Sequence, residues 1–175
     1  MIRFCSQCGA DMSYRIPECD TVTRAVCGSC GYIAYENPKI IAGVLPVYQE
    51  QVLLCERAIE PMKHWLTLPS GFMECHETLE AGALREAYEE VGIVPNLKFL
   101  FCTYSVSRVS QVYCLFLGEL ESPSFKEGPE TRSAAFYPIS KIPWEKLAFS
   151  SVRFALRQYA DQHARGELHW VSGSE

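Results

Sequence analysis

Residues 71 to 93 constrain this chain more than any other stretch. Gly71 is followed after five residues by Glu77, and after seven more by Arg85-Glu86-Ala87-Tyr88-Glu89-Glu90-Val91-Gly92-Ile93. The pattern predicts one helix from Thr78 to Val91, with Thr78 as N-cap and Gly92 at the C-terminal stop. At about 100° per residue, Glu86, Glu89 and Glu90 fall within an arc of roughly 100°. Ala81, Leu84, Ala87, Tyr88 and Val91 gather on the opposite side, so one face is expected to bury while the other collects carboxylates. Leu79 and Glu80 interrupt this pattern in the first turn only. Exposed like charges at i, i+3 and i, i+4 repel by ~0.2–0.5 kcal/mol per pair. A divalent cation relieves that repulsion, because Mg²⁺ takes oxygen ligands and shares its shell with water and phosphates. Three isolated glutamates would read as a solvated helix face. With Gly71, Glu77 and Arg85 in register, the metal-binding reading prevails. Thr67-Leu68-Pro69-Ser70-Gly71-Phe72 reads as a strand end turning into a loop. Glycine there allows a close approach of backbone and metal, and permits a positive φ.

A second signal lies at the N-terminus. Cys5-x2-Cys8 is followed after eighteen residues by Cys27-x2-Cys30. Paired knuckles at this spacing predict a zinc ribbon, each supplying two thiolates to one tetrahedral Zn²⁺. Gly9, Gly28 and Gly31 suit the tight knuckle turns. The alternatives are two disulfides or a redox CxxC. No signal peptide precedes Cys5 and the nine cysteines are an odd number, so an oxidising compartment is not indicated. Two paired motifs disfavour a redox role, and Cys19 has no CxxC partner. Four thiolates around Zn²⁺ leave no open position, so the zinc is expected to be structural. About 35 residues bury too little apolar surface to fold unaided, and metal binding supplies the missing stability. Residues 1–36 hold Arg3, Arg15 and Arg24 against Asp11, Glu18, Asp20 and Glu36. That is no footprint for phosphates.

The 175 residues leave room for one ordinary domain beside the ribbon. A net charge of −5 without a strong basic run makes nucleic acid and anionic membranes poor partners. No apolar stretch reaches transmembrane length, and no targeting peptide or repeat is evident. A cytoplasmic protein is expected. Glu36-Asn37-Pro38-Lys39 has turn chemistry and marks the junction, giving domains 1–36 and 37–166 and a tail 167–175. Strands are predicted over Ile40–Tyr48, Val52–Cys55, Trp65–Leu68, Leu97–Tyr104, Gln111–Leu120 and Ala134–Tyr137. A closing helix is predicted over Ser151–Ala164. Val171–Glu175 are expected to fray. The fold class is α/β, a mixed sheet with both helices packed against it.

The stretch from Gly71 to Ile93 resembles the Nudix box, G-x5-E-x7-R-E-U-x-E-E-x-G-U, in which U is bulky or apolar. Ala87 and Ile93 stand at the U positions and every fixed position is filled. The resemblance covers residues 40 to about 165 and, with the ribbon, nearly the whole chain. It implies an α/β/α sandwich and hydrolysis of a P–O–P bond with Mg²⁺ or Mn²⁺. Two zinc-ribbon groups of the family are similar. The NADH pyrophosphatase and NAD-decapping group carries S-Q-P-W-P-F-P-x-S after the box. Here Cys102-Thr103-Tyr104-Ser105-Val106-Ser107-Arg108-Val109-Ser110-Gln111 stands in its place. The other group comprises plant FAD and ADP-ribose pyrophosphatases and short bacterial relatives. It is resembled at Ala34–Lys39, Trp65–Pro69, Gly128-Pro129-Glu130 and Leu147–Ser151, and is favoured. A small-molecule substrate such as FAD or ADP-ribose, yielding AMP and a phosphorylated moiety, is thereby implied, and a homodimer is expected. NAD decapping, and a non-catalytic ligand sensor, are the competing readings.

Residue roles follow from the same resemblance. Glu86 and Glu90 are implied as principal metal ligands, with Glu89 on a second ion. The carbonyl of Ser70 or Gly71 is implied as a further ligand, and Glu77 with Arg85 as a supporting ion pair. The general base is a box glutamate or a glutamate of a late loop, for which Glu130 is the candidate and Glu127 a weaker one. Arg57, just after a strand, is placed to meet a phosphate, although such an arginine is commonly solvated. Tyr104 and Phe149 could stack on a flavin or adenine ring, but aromatics so placed are more often core. Trp65 is expected beneath the box loop in the core. His64 receives no role.

Overall fold

The computed structural model describes residues Met1–Glu175, which divide into two compact units, Met1–Asn37 and Pro38–Glu175. In the first, β1 (Met12–Arg15), β2 (Arg24–Cys27) and β3 (Ile33–Ala34) form a small antiparallel sheet in that order. Its cysteine knuckles are closed by backbone bonds, Gly9 N–H to Cys5 O and Gly31 N–H to Cys27 O. Both glycines have φ of +75°, the left-handed region that a side chain resists.

The second unit is a mixed sheet built from β4 (Lys39–Tyr48), β5 (Gln51–Arg57), β8 (Asn96–Val106), β9 (Gln111–Glu119), β10 (Thr131–Pro138) and β11 (Val171–Ser174). The strand order is β10-β5-β4-β9-β8-β11. Two short strands, β6 (Leu66–Thr67) and β7 (Ser70–Phe72), pair with β5 and β4. β4 runs parallel to β9 and β11 parallel to β8. The side chains alternate as a pleated sheet buried on both faces demands. Leu45, Val47, Val52 and Leu54 face one core, with Val152, Ala155, Leu156 and Tyr159 of α2 (Ser150–Arg165). Ala42, Val44, Leu53 and Cys55 face the other, with Ala83, Ala87 and Val91 of α1 (Leu79–Val91). A helix thus covers each face, as the α/β/α expectation required. Each fully buried aliphatic side chain here contributes about 1.5–3 kcal/mol, so Leu156→Ala is expected to cost about 2–5 kcal/mol.

α1 begins and ends where the sequence indicated. Thr78 Oγ1 accepts from Ala81 N–H at 3.2 Å. Gly92 closes the helix at φ 64°, its N–H donating to Tyr88 O at 2.8 Å. Its buried face differs from expectation. Ala81 and Tyr88 are exposed, Tyr88 by 63%. The stripe against the sheet is Ala83, Ala87 and Val91, with Gly82 beside it. At about 100° per residue Glu90 lies at the edge of that stripe, between Ala83 and Gly82. Glu86 and Glu90 are therefore half-buried beside the core, while Glu89 stays exposed.

Three further expectations are corrected. Trp65 is 39% exposed rather than core, because the buried places of this stretch are taken by Leu66, Thr67 and Leu68. The terminal residues are not a frayed tail. Val171–Ser174 form β11, and Glu175 N–H donates to Ser105 O at 3.0 Å. An unpaired β8 edge offers partners that the local sequence does not reveal. Gly71, finally, does not need a positive φ; its requirement is steric.

Candidate active site

β7 hands the chain from the sheet to α1, and its register against β4 places Gly71 opposite Ala42. A Cβ on Gly71 would overlap the Glu86 carboxylate. The missing side chain is the space that carboxylate occupies. Arg85 organises the surroundings. Its Nε and Nη2 donate to the two oxygens of Glu77, at 3.1 and 2.9 Å. Nη1 donates to Glu86 Oε1 at 2.7 Å and Glu89 Oε2 at 3.0 Å, and Nη2 reaches Phe72 O at 3.1 Å. Glu77 also accepts from Glu74 N–H at 2.6 Å. The ion pair between box loop and helix is therefore a bidentate fork with two added carboxylates. Arg85 beside Glu77 holds that carboxyl below its ordinary range, and the Arg85 pKa is raised in return.

Glu90 sits deeper. Burial pushes its pKa up to about 8, reinforced by Glu86 and opposed by a hydrogen bond from the Ser70 backbone and by Arg57. Its Oε2 is buried without any hydrogen-bond partner. A buried carboxylate oxygen left without a donor is costly, and a cation against it removes the cost. Glu86 is likewise raised by burial, with Arg85 opposing and Glu89 and Glu130 adding to the shift. The donor set is all oxygen, as hard divalent cations prefer.

These groups line one cavity of about 510 Å³, together with Ser70, Gly71, Arg57, Glu130 and Phe149. Arg57 lies over the Phe149 ring, 5.1 Å from its centroid, and its Nε donates to Pro61 O at 2.8 Å. Glu130 is held by two neighbours. Its carbonyl accepts from Ala58 N–H at 2.8 Å, and the preceding loop docks on the end of α1 through Gly128 N–H to Glu90 O, also 2.8 Å. A Cβ on Gly128 would run into the Glu89 carbonyl. Glu127 does not line the cavity, and Tyr104 is core, packed on Phe154 with centroids 5.2 Å apart. His64 lies outside it, in an exposed cluster with Glu56 and Arg132. Gln111 and Tyr113 also line the cavity. Their place follows from the parallel pairing of Ile41 with Tyr113. The alternation of β9 puts both on one face, but only the pairing says which face.

In the small unit, Cys5 Sγ stands 3.7 Å from Cys30 Sγ, and Cys8 Sγ 3.5 Å from Cys27 Sγ. All four sulfurs lie within 4.8 Å of one another, and no disulfide is formed. A tetrahedron with Zn–S bonds of about 2.3 Å has edges of about 3.8 Å. The sulfur set fits that ion. Backbone N–H groups of Gln7 and Cys30 donate to Cys5 and Cys27. The bond from Cys30 draws the Cys27 thiol down to about 6.

Comparison with known proteins agrees with both units. Residues 37–158 match the NUDIX domain, and residues 3–36 the Nudix N-terminal zinc ribbon. An ADP-ribose pyrophosphatase of Methanocaldococcus jannaschii is 31% identical over 122 residues, covering 67% of this chain and 71% of that protein. A NAD-capped RNA hydrolase NudC of Chromobacterium violaceum is 27% identical over 164 residues, 91% of this chain. The chain spans 59% of that protein and 53% of the NudC of Vibrio parahaemolyticus. A crystal structure of a NUDIX hydrolase from Nitrosomonas europaea superposes with a TM-score of 0.94 at 40% identity, covering 99% of each chain. The NUDIX domain of Shewanella oneidensis NrtR, solved with ADP ribose, shares the fold at TM-score 0.63 and 20% identity over 75% of this chain and 90% of that one.

Proposed function

This chain belongs to the Nudix family and is a Nudix hydrolase, and we propose that it splits the pyrophosphate bond of a nucleoside diphosphate linked to a second moiety. ADP-ribose or FAD is the substrate in this reading, and AMP one product. The observation that carries it is the single cavity joining Glu86, Glu89, Glu90 and Glu130 to Arg57, with the Glu90 Oε2 left without a donor. Four carboxylates repel a polyphosphate unless cations intervene, so this lining suits a metal–pyrophosphate complex and little else.

Glu86 and Glu90 would hold a divalent ion, Mg²⁺ or Mn²⁺, with Glu89 on a second and a backbone carbonyl of Ser70 or Gly71 completing the set. Such ions, when bound, neutralise phosphate charge and lower the pKa of a coordinated water. The chain's own groups do the rest by position. Arg85 fixes the Glu86 and Glu89 carboxylates through Nη1. Arg57, over the Phe149 ring, would present charge to a phosphate oxygen. Glu130, or a box glutamate, accepts the proton as water attacks phosphorus and the P–O–P bond opens. In the small unit, Cys5, Cys8, Cys27 and Cys30 hold structural Zn²⁺ in this reading.

The NudC relatives support a second reading, cleavage of an NAD-type dinucleotide. The segment Cys102–Gln111, which lacks S-Q-P-W-P-F-P-x-S, weighs against it. Chromatography with mass spectrometry of FAD, ADP-ribose, NADH and a nucleoside triphosphate, beside Glu90→Gln, tests both. AMP released from FAD or ADP-ribose, and absent with the variant, supports the proposal. Equal cleavage of NADH supports the second reading, and no cleavage of any would refute both.

A further inference from the structure

A second cavity, of about 430 Å³, adjoins the carboxylate site and shares Pro61, Gln111, Tyr113 and Phe149 with it. Its other walls include Met62, Val106 and Val109, so it is largely apolar around two aromatic rings, Tyr113 and Phe149. Three features at its polar end point to a ligand. Ser151 is fully buried, and its Oγ makes no hydrogen bond of normal geometry within the fold. It faces the Tyr113 hydroxyl, whose pKa burial raises and Ser151 partly restores. The N-terminus of α2 opens on the same space, since Phe149, Ser150 and Ser151 line it, and its N-cap residue, Phe149, makes no side-chain capping bond. The end of β11 closes the far side. Ser107 N–H and Oγ both donate to Glu175 O, and Arg108 Nε donates to the Glu175 carboxylate at 3.1 Å.

An apolar slot with a few convergent donors and acceptors suits a flat ring with a polar edge. A sugar phosphate would want more polar walls and free charge, and here the Arg108 charge is engaged by Glu175. Resting on the pyrophosphatase reading, we propose that this second cavity receives the nitrogen-heterocyclic end group of the substrate, with Ser151 and Tyr113 hydrogen-bonding the ring edge. Gln111 and Tyr113, common to both cavities, then lie between ring and pyrophosphate. Ser151 is a specificity residue that takes no part in bond cleavage.

Ser151→Ala tests this with a distinctive signature. Removing an unpartnered buried hydroxyl leaves thermal stability unchanged or raised. Losing one hydrogen bond to a ligand lowers affinity about 5- to 10-fold. AMP, FMN and ribose 5-phosphate are titrated calorimetrically into wild-type protein and variant with Mg²⁺ present; none has a P–O–P bond, so no turnover intervenes. The proposal expects weaker binding of AMP or FMN by the variant, the one affected naming the ring, with ribose 5-phosphate unaltered. An equal loss for ribose 5-phosphate, or no loss for either ring, would overturn it. Tyr113→Phe gives the same reading should Ser151→Ala fold poorly. If the wild type cleaves none of the four substrates above, the pyrophosphatase reading fails by itself, while these titrations still report on the slot.

Discussion

Gly71 and Glu86 occupy one another's space: the Glu86 carboxylate fills the position a Gly71 side chain would take. The neighbour that must yield is the tip of a flexible side chain, not backbone. Gly71→Ala should therefore fold, at a cost of about 1 kcal/mol or less, while pushing Glu86 out of its bond with Arg85. Turnover should fall about 100-fold, and divalent-ion affinity with it, since misplacing a charged group by about 1 Å can cost that much. Calorimetric metal titration with thermal melting checks this; unaltered metal affinity would refute the reading.

Glu90 predicts a pH dependence of the metal-free protein. Its pKa in the fold, about 8, lies above its ordinary 4.5 because burial disfavours the charge. A raised carboxyl pKa means that the folded state holds the proton more tightly than the unfolded chain. The stability it contributes is complete below about pH 4.5 and is lost as pH rises towards about 8. Glu86, also raised, adds in the same sense. Melting temperature in chelator should decline across that window, and Glu90→Gln should flatten the decline. A wild-type profile that climbs instead would count against the buried Glu90 carboxylate with its undonated Oε2. With divalent ion, the same variant should lose about 100-fold or more in turnover.

Gly128 is held against the backbone of α1, so a side chain there meets the Glu89 carbonyl, which cannot swing away. Gly128→Ala should cost about 1–3 kcal/mol by overpacking. It should also lift the loop bearing Glu130 from the helix. If Glu130 acts on the attacking water, kcat falls with little change in KM, and Glu130→Gln reproduces the loss. Full activity in Glu130→Gln would leave a box glutamate as the base.

Elemental analysis should find about one zinc per chain. Cys27→Ser or prolonged chelation should unfold the Met1–Asn37 unit, because zinc binding there is folding free energy. A metal-free preparation with that unit protected from protease would disprove the assignment.

Much of this was legible in sequence because it is local. Thr78 and Gly92 delimit α1 through bonds made within a few residues. The Glu86, Glu89 and Glu90 spacing is set by helical periodicity, and the CxxC knuckles by their own turns. What lay beyond reach depends on partners distant in the chain. Ala81 and Tyr88 satisfy the apolar periodicity as well as Ala83 does. Only contact with Ala42 and Val44 selects the smaller stripe and turns Glu90 inward. Trp65 carries no sign that its turn faces solvent. Val171–Ser174 become a strand only because β8 presents a free edge some seventy residues earlier. The second cavity likewise exists only when β9, α2 and the end of β11 converge. Sequence by itself determined the chemistry that this chain carries, since residue type and short-range spacing encode it. Tertiary packing decided burial, and burial decides which carboxylate oxygen lacks a donor and which hydroxyl lacks a partner.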